Sequence, residues 1–223
     1  MTRTITLVGA RGGQGTSTVA AALATDLACS GPVTLLAHDA VAMAQLLGTP
    51  QPLPGGDPVA VVPGLTLAGL EGYPGPVTVI DAGPAALSRP TPDGERYAVV
   101  RGPCYLALAT LVSLPGLRLD GVILVAEPGR SLDAGDVSAV LDLPVVATVP
   151  WNPTVARVID AGLLAVEAGE LPELRALRNW GERTPWRRAV STGHSIERGA
   201  HETSSALRRS VDGTAAQSWE VGL

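Results

Sequence analysis

Short apolar runs alternate with segments of helical periodicity along most of the chain. The runs predict buried strands over residues 3–8, 33–36, 76–81, 96–101, 121–126 and 144–149. The apolar spacing between them predicts helices over about 15–30, 104–113, 133–141 and 153–163. Strands that are apolar on both faces and alternate with helices favour a mostly parallel sheet that is covered by helices on both faces. The predicted fold class is therefore α/β.

Two segments depart from this pattern. Residues 49–64 are rich in proline and glycine, which predicts a long surface loop. From about residue 181 the chain is rich in Ser, Thr, Gly and Arg without a clear period, which predicts a partly irregular, partly disordered extension. The predicted organisation is a body over residues 1–170, followed by an arginine-rich helix and tail over residues 171–223.

Composition narrows the class of protein. A chain of 223 residues, of which 46% are hydrophobic, can bury one substantial core. No apolar run of about 18 residues occurs, so no integral membrane segment is predicted. The strand-like start has no signal-peptide core, and we expect a cytoplasmic protein. Cys29 and Cys104 lack metal or redox spacing and are expected to be small core side chains.

Every basic residue of the chain is an arginine. The chain has 16 arginines and no lysine, so another group must make any contact that needs a lysine ammonium on a phosphate. Residues 1–170 carry 8 arginines against 15 acidic residues, whereas residues 171–223 carry 8 against 6. The end of the chain therefore differs electrostatically from the body.

A glycine-rich segment joins the first predicted strand to the first helix, and it reads GARGGQGTST over residues 9–18. Glycines let backbone N–H groups wrap around an anion, and the helix N-terminus adds partial positive charge. Against the phosphate-loop pattern G-x-x-x-x-G-K-[ST], Ala10 replaces the first Gly and Thr16 replaces the Lys. Ser17 falls at the hydroxyl that coordinates Mg²⁺. The alternative is a glycine-rich turn that binds nothing.

Residues 11–18 resemble, position for position, the deviant phosphate loop K-G-G-x-G-K-[ST]-[TV] of the ParA/MinD family of P-loop proteins. The resemblance implies an ATP or ADP site with Mg²⁺. The loop residues implied in nucleotide binding are Gly12, Gly13, Gln14, Gly15, Thr16, Ser17 and Thr18. Arg11 replaces a family lysine that reaches the partner's nucleotide, which implies a homodimer and a catalytic role for Arg11. The Gly-Thr-Ser-Thr ending resembles the CpaE/TadZ branch, which acts in the assembly and polar placement of Flp-type pili.

Further segments extend this resemblance over roughly residues 3–165. Asp39 matches the second aspartate of the family's D-x-D motif, which implies a catalytic, water-positioning carboxylate, and Ala37 replaces the first aspartate. Asp81 ends the strand that resembles Walker B, which implies a carboxylate near Mg²⁺. Residues 144–162 resemble the segment at the base edge of the nucleotide, which implies a nucleotide contact from Pro150.

Departures from the family pattern weaken the implied enzyme activity. Thr16 can donate one neutral hydrogen bond, which is about half as strong as the charge-assisted bond of a lysine. The asparagine that contacts adenine in the family corresponds to Ala126 or Glu127 here. We therefore expect nucleotide binding through backbone N–H groups together with a weak or absent ATPase activity.

Three functions are consistent with these sequence features. The leading prediction is a positioning or scaffolding factor of CpaE/TadZ type in a pilus or secretion machine, with recruitment by a partner to the cell pole or inner membrane left open. The alternative is an active partition ATPase that binds DNA non-specifically, against which the missing lysines and the net charge of −5 argue. A metabolic P-loop enzyme ranks last because no substrate-binding residues stand out.

The remaining polar candidates have structural explanations. His38 is expected to fill a strand end, and His194 and His201 have no ligand spacing for a metal. Residues 127–130 either line the nucleotide pocket or form a turn. Residues 171–180 carry apolar side chains at helical spacing with arginines between them, which favours packing on the body over a surface for membrane, DNA or a partner.

Overall fold

The computed structural model of the chain describes residues 2–54, 56–84, 93–114 and 117–183. These residues belong to one compact unit, Met1–Thr184. The extension predicted from residue 181, with His194 and His201, lies almost wholly outside the described residues. The division of the chain at residue 170 stays a prediction.

Eight strands form one sheet. They are β1 (Arg3–Gly9), β2 (Val33–Ala37), β3 (Val59–Val62), β4 (Leu65–Gly69), β5 (Val77–Asp81), β6 (Glu95–Gly102), β7 (Gly121–Ala126) and β8 (Val145–Pro150). Their order across the sheet is β3-β4-β2-β5-β1-β6-β7-β8. Every neighbouring pair is parallel except β3 and β4, which are antiparallel. The predicted mostly parallel sheet is confirmed.

Helices cover both faces of this sheet. The helices of the described residues are α1 (Thr16–Ala28), α2 (Ala40–Leu47), α3 (Tyr105–Val112), α4 (Ala134–Leu141), α5 (Pro153–Asp160), α6 (Leu164–Glu167) and α7 (Arg175–Arg183). Helix α1 packs against β1, β2, β4 and β5. Buried residues of α3 and α4 pack on the opposite face, in a cluster with Val8, Ile80 and Leu124. Because alternate side chains of a strand point to opposite faces, the central strands are buried on both faces, and a few buried threonines such as Thr6 and Thr78 lie among their apolar side chains.

The parallel strands bring several chain segments to one edge. Strands β1, β2, β5, β6, β7 and β8 all run in the same direction, so their carboxyl ends lie along the same edge of the sheet. Ligands of open α/β sheets bind in the crevice outside these ends. The glycine-rich loop after β1 and the residues that follow β5, β7 and β8 therefore come together there.

The sequence missed several short elements. The expected loop over residues 49–64 contains β3, and the adjoining β4, helix α2 and helix α6 were not predicted. Strand β3 has four residues at the sheet edge and is only partly buried, so it shows no continuous apolar run. Helix α2 has local signals at both ends, because the Asp39 side chain caps its start and Gly48 ends it at a φ of +67°.

The end of the described chain packs on the body. A 3₁₀ turn at Pro172–Leu174 leads into α7, which contacts α1 and β8. Leu177 is 1% exposed, and the ring of Trp180 meets Tyr97 edge to face with centroids 4.7 Å apart. This is the packing role favoured for residues 171–180. Within the described part of the chain, no helix combines the length and apolarity needed to cross a membrane.

An ion pair ties the start of β1 to the start of β6. Arg3 donates from Nε to Glu95 Oε1 at 2.7 Å and from Nη2 to Oε2 at 2.9 Å, and the Tyr97 hydroxyl also donates to Oε2, at 2.8 Å. Partial burial opposes ionisation of Glu95, but the hydrogen bonds from Arg3 and Tyr97 outweigh it and hold the pKa of Glu95 below its usual value.

Glu95→Gln is expected to lower the free energy of unfolding at neutral pH by about 1 to 2 kcal/mol, since it removes one charge of a partly buried pair. A carboxyl whose pKa is lowered in the folded state stabilises above its unfolded-state pKa, and this contribution is lost as the pH falls through the folded-state value. Urea unfolding of both proteins should therefore converge below about pH 4. Equal stability at pH 7 would contradict the assigned role of the pair.

Candidate functional site

The loop between β1 and α1 forms an open cradle of backbone. Gly13 and Gly15 adopt left-handed conformations, with φ of +77° and +81°, which favour glycine over residues with side chains. Residues 11–18, with Gly83 and Pro84, line a cavity of about 260 Å³, hereafter the P-loop cavity. No side chain caps the start of α1, and its first turn has no acidic residue. The first N–H groups of this helix are therefore available to an anion.

Ser17 and Asp81 meet beside this cradle. Asp81, at the end of β5, is 2% exposed, and its side chain is hydrogen-bonded to the Ser17 side chain and accepts from the Gly83 N–H at 3.2 Å. Burial raises the pKa of Asp81, and the bonds from Ser17 and Gly83 only partly oppose this. A hydroxyl and a carboxylate are oxygen ligands of the kind that Mg²⁺ takes in P-loop proteins.

The residues present therefore fit a phosphate and Mg²⁺. Uncapped N–H groups and glycines without side chains suit the phosphate, and Ser17 with Asp81 suits the cation. No group of three or more His, Cys, Asp or Glu side chains that could hold a metal occurs among the described residues. A magnesium ion here would depend on these two residues and on the phosphate oxygens of its nucleotide.

Thr16 is turned under the loop. Its side chain is almost buried, with the residue 7% exposed, and a Cβ built on Gly9 would lie only 2.6 Å from its Oγ1. The hydroxyl thus packs against the backbone of Gly9, which leaves no space for a side chain at that position. A neutral group in this place supplies none of the charge that a lysine would bring to the phosphates.

Gln14 has a structural role that the sequence did not show. The residue is 4% exposed, and its side-chain Oε1 accepts a hydrogen bond from the backbone N–H of Arg101 at 3.0 Å, which connects the loop to the end of β6. Gln14 was predicted to bind the nucleotide; this stays a prediction for its backbone N–H, whereas its side-chain oxygen is engaged with β6.

Gln14→Ala is expected to lower the free energy of unfolding by about 2 kcal/mol, because it leaves the Arg101 N–H without its acceptor. Amide hydrogen exchange at Arg101 should accelerate. Gln45→Ala, which truncates an exposed glutamine on α2, is the matched control and should leave that amide unchanged. Unchanged exchange at Arg101 in Gln14→Ala would show that the tether does not hold the loop.

Arg11 lies at the rim of the P-loop cavity. Its Nη2 donates to Cys104 Sγ at 3.3 Å, across to the residue that precedes α3. The N–H of Ala107 at the start of α3, assisted by Arg11, lowers the pKa of the Cys104 thiol. Cys29 is exposed after α1, so the expectation of a core side chain is wrong for it, whereas Cys104 is partly buried and packs against the hydrophobic cluster under α3.

Asp39 and His38 lie at the end of β2, beside Asp81. The Asp39 Oδ1 accepts from Ala42 N at 2.9 Å, so the carboxylate caps α2, and its predicted catalytic role stays a prediction. The His38 backbone N–H donates to the Asp81 carbonyl at 2.8 Å. A Cβ on Gly83 would lie 2.9 Å from the His38 ring, so His38 fills the space above Gly83.

A second cavity, of about 150 Å³, opens between α1, the ends of β6, β7 and β8, and α5. We call it the side cavity. Its apolar walls include Val125, Pro150 and Ile159, and its aromatic wall is Trp151. The guanidinium of Arg101 lies 5.9 Å from the centroid of the Trp151 ring, a cation–π distance. Pro150, predicted to contact a nucleotide, thus lines a cavity next to the loop.

Glu127, after β7, joins two arginines. It accepts from Arg101 Nε at 2.6 Å through Oε1 and from Arg130 Nε at 2.8 Å through Oε2. The hydrogen bond from Arg130 lowers the pKa of Glu127, with Arg101 adding to the effect, so the carboxyl stays ionised. Residues 127–130 do not line the side cavity, which agrees with the turn interpretation of this segment.

The fold of this chain is similar to that of several solved structures. Neither a family model nor a curated protein sequence matches the chain. Among solved structures, MinD of Pyrococcus horikoshii, a septum site-determining protein complexed with Mg-ADP, is 19% identical, with a TM-score of 0.62 over 82% of this chain and 95% of that chain. A ParA family ATPase from Chlorobium tepidum is 13% identical, with a TM-score of 0.62 over 81% and 98%. A chain of the MinC:MinD cell division protein complex of Aquifex aeolicus is 18% identical, with a TM-score of 0.66 over 81% of this chain and 94% of that chain. The chain therefore has the P-loop fold of MinD and ParA proteins.

Proposed function

We propose that this chain is a ParA/MinD-like nucleotide-binding protein that acts as a positioning or scaffolding factor, with weak or no ATPase activity. One observation carries the proposal. The loop backbone and the Ser17–Asp81 pair keep an arrangement suited to phosphate and Mg²⁺, while the lysine position holds the buried Thr16. The groups suited to binding phosphate and Mg²⁺ are thus retained. The positive charge that assists phosphoryl transfer is missing from the lysine position.

The bound species is proposed to be a nucleoside di- or triphosphate with Mg²⁺. ATP and ADP are the forms that the family resemblance implies, and a structural neighbour is a MinD complexed with Mg-ADP. The N–H groups of residues 12–18 would hold the phosphates, and Ser17 with Asp81 would hold the ion. Mg²⁺ would supply charge neutralisation at the phosphate oxygens. Thr16 would add at most one neutral hydrogen bond.

The proposed working form is a homodimer that recruits a protein partner. A structural neighbour is the MinC:MinD complex, which supports a partner-binding role for this fold. The Gly-Thr-Ser-Thr ending of the loop favours a CpaE/TadZ-like partner system, in a pilus or secretion machine at the cell pole or inner membrane. Arg11 lies exposed at the rim of the P-loop cavity, where a second copy could meet it.

Arg11→Ala is expected to weaken nucleotide-dependent dimerisation by about tenfold, the effect of losing one charge-assisted contact across the interface. Arg118→Ala, at an exposed position ahead of β7, is the matched control and should dimerise like the wild type. Sedimentation velocity with and without Mg²⁺-nucleotide measures the effect. An Arg11→Ala protein that dimerises normally would contradict the role of Arg11.

The partner class is tested by affinity capture with the wild-type protein and Asp81→Asn in the presence of Mg²⁺-nucleotide. Nucleotide-dependent retention of a secretion ATPase or a membrane platform protein supports the scaffold. Salt-sensitive retention of DNA without such proteins would instead favour a partition ATPase.

A further inference from the structure

The side cavity adjoins the P-loop cavity, and Gly15 and Thr18 line both. A cavity of about 150 Å³ is large enough to take up an aromatic ring such as benzene, which suits a flat heterocycle. A ligand whose phosphates lie in the P-loop cavity can therefore place its base in the side cavity. Its apolar walls and the Trp151 ring offer contacts to any base, so discrimination between bases must come from polar groups.

The polar side chains that line the side cavity are those of Thr18, Arg101, Trp151 and Asn152. The Thr18 hydroxyl can both donate and accept, so it does not discriminate between bases. Asn152 accepts from Thr154 N at 2.8 Å through Oδ1, and its Nδ2 donates to Glu173 Oε1. Both ends of this amide are thus occupied in capping α5 and joining it to the 3₁₀ turn. A free amide, which could offer both a donor and an acceptor to adenine, is therefore missing from the lining that the structure describes.

Arg101 is the cation of the lining. Its Nε donates to Glu127 Oε1, and both Glu127 oxygens are engaged, since Arg130 donates to the second. Glu127 fixes Arg101 from outside the cavity, and the Trp151 ring supports the guanidinium from one side. The terminal nitrogens of Arg101 have no partner among the residues that the structure describes. A guanidinium carries donors only, so the base edge that it prefers is one with acceptors.

We infer that Arg101 reads the base of the bound nucleotide and makes this site favour a 6-oxopurine, such as guanine, over adenine. This inference rests on the proposed nucleotide-binding function. Guanine presents the acceptors O6 and N7 side by side, which pair with the two-pronged arginine donor. Adenine presents N7 beside an amino group, and that amino group would place a donor against the guanidinium. The site therefore departs from the adenine specificity that the family resemblance implies.

The test is a competition titration of wild-type protein with GDP, IDP and ADP, each with Mg²⁺. GDP is expected to bind about 5- to 150-fold more tightly than ADP, the range of one bidentate arginine–guanine pair. IDP, which keeps O6 and N7 but lacks the 2-amino group, should bind like GDP. Arg101→Leu should abolish the preference for GDP. Arg101→Lys should reduce it, because lysine keeps the positive charge but lacks the paired N–H donors of the planar guanidinium.

Arg130→Gln is the matched control, because it removes the other partner of Glu127 without touching the cavity lining. It should keep the wild-type ratio of GDP to ADP affinity. ADP binding as tight as GDP in the wild type would overturn the inference and leave the proposed function intact. An unchanged preference in Arg101→Leu would also overturn it. Failure of all three nucleotides to bind would overturn both this inference and the proposed nucleotide-binding function.

Discussion

Asp81→Asn is expected to abolish most of the Mg²⁺-dependent nucleotide affinity and yet to stabilise the ligand-free protein. Loss of an outer-shell partner of a metal typically weakens binding 10- to 100-fold, so loss of this ligand charge should cost about 100-fold or more. Without ligand, burial disfavours the charged carboxylate, and the neutral amide removes that cost. The melting temperature without nucleotide should rise by about 3 °C.

Two thermal-shift series, with and without Mg²⁺-ADP and Mg²⁺-GDP, separate these effects. The wild type should gain stability with nucleotide, and Asp81→Asn should gain almost none. Asp57→Asn, at an exposed position of the loop before β3, is the matched control and should behave like the wild type. A nucleotide-dependent shift in Asp81→Asn equal to that of the wild type would mean that Asp81 does not hold the cation.

Thr16→Lys is expected to raise triphosphate turnover by about 100-fold, the usual effect of one charge-stabilising donor in a water-excluded site. The ammonium would reach the phosphates from the position where the loop now holds a neutral hydroxyl against Gly9. Thr16 also lines the P-loop cavity, so we expect the longer lysine side chain to extend into that cavity rather than under the loop. Phosphate release under single-turnover conditions is the measurement.

Thr16→Met is the control, since it has a long side chain without charge and should not raise turnover. A wild-type protein that already hydrolyses as fast as Thr16→Lys would show that another group supplies the missing charge, with Arg11 the first to test. A variant that binds nucleotide normally but gains no turnover would show that the catalytic deficit lies elsewhere, with Asp39, which caps α2, the next residue to examine.

Local signals explain what the sequence predicted. Gly13 and Gly15 indicate the turn into α1, because both adopt a positive φ, which glycine takes without strain. The neighbourhood of Ser17 and Asp81 was predicted through the family resemblance, and the pairing of β1 with β5 provides its physical basis. In a parallel sheet, residues that follow adjacent strands share one edge. The α/β class followed in the same way from runs buried on both faces.

Contacts between distant segments explain what the sequence could not predict. Gln14 meets Arg101 across 87 positions of the chain, and Arg11 meets Cys104 across 93. Such contacts depend on the order of strands in the sheet, which places β6 beside β1, and residue spacing does not encode that order. The side cavity forms only where α1, α5 and the ends of β6, β7 and β8 meet, and no sequence spacing predicts that Arg101 comes to lie beside Trp151.

The degenerate loop is expected to bind a Mg²⁺-nucleotide and to hydrolyse it hardly at all. The decisive measurement is a calorimetric titration of the full chain with ADP and GDP, with and without Mg²⁺. A turnover assay with ATP and GTP on the same sample follows. We expect Mg²⁺-dependent binding with a free energy of about −8 kcal/mol, which is a micromolar dissociation constant, and no turnover above background. Absence of binding to either nucleotide would contradict this expectation, and so would turnover of about 1 s⁻¹, as in active phosphoryl-transfer enzymes.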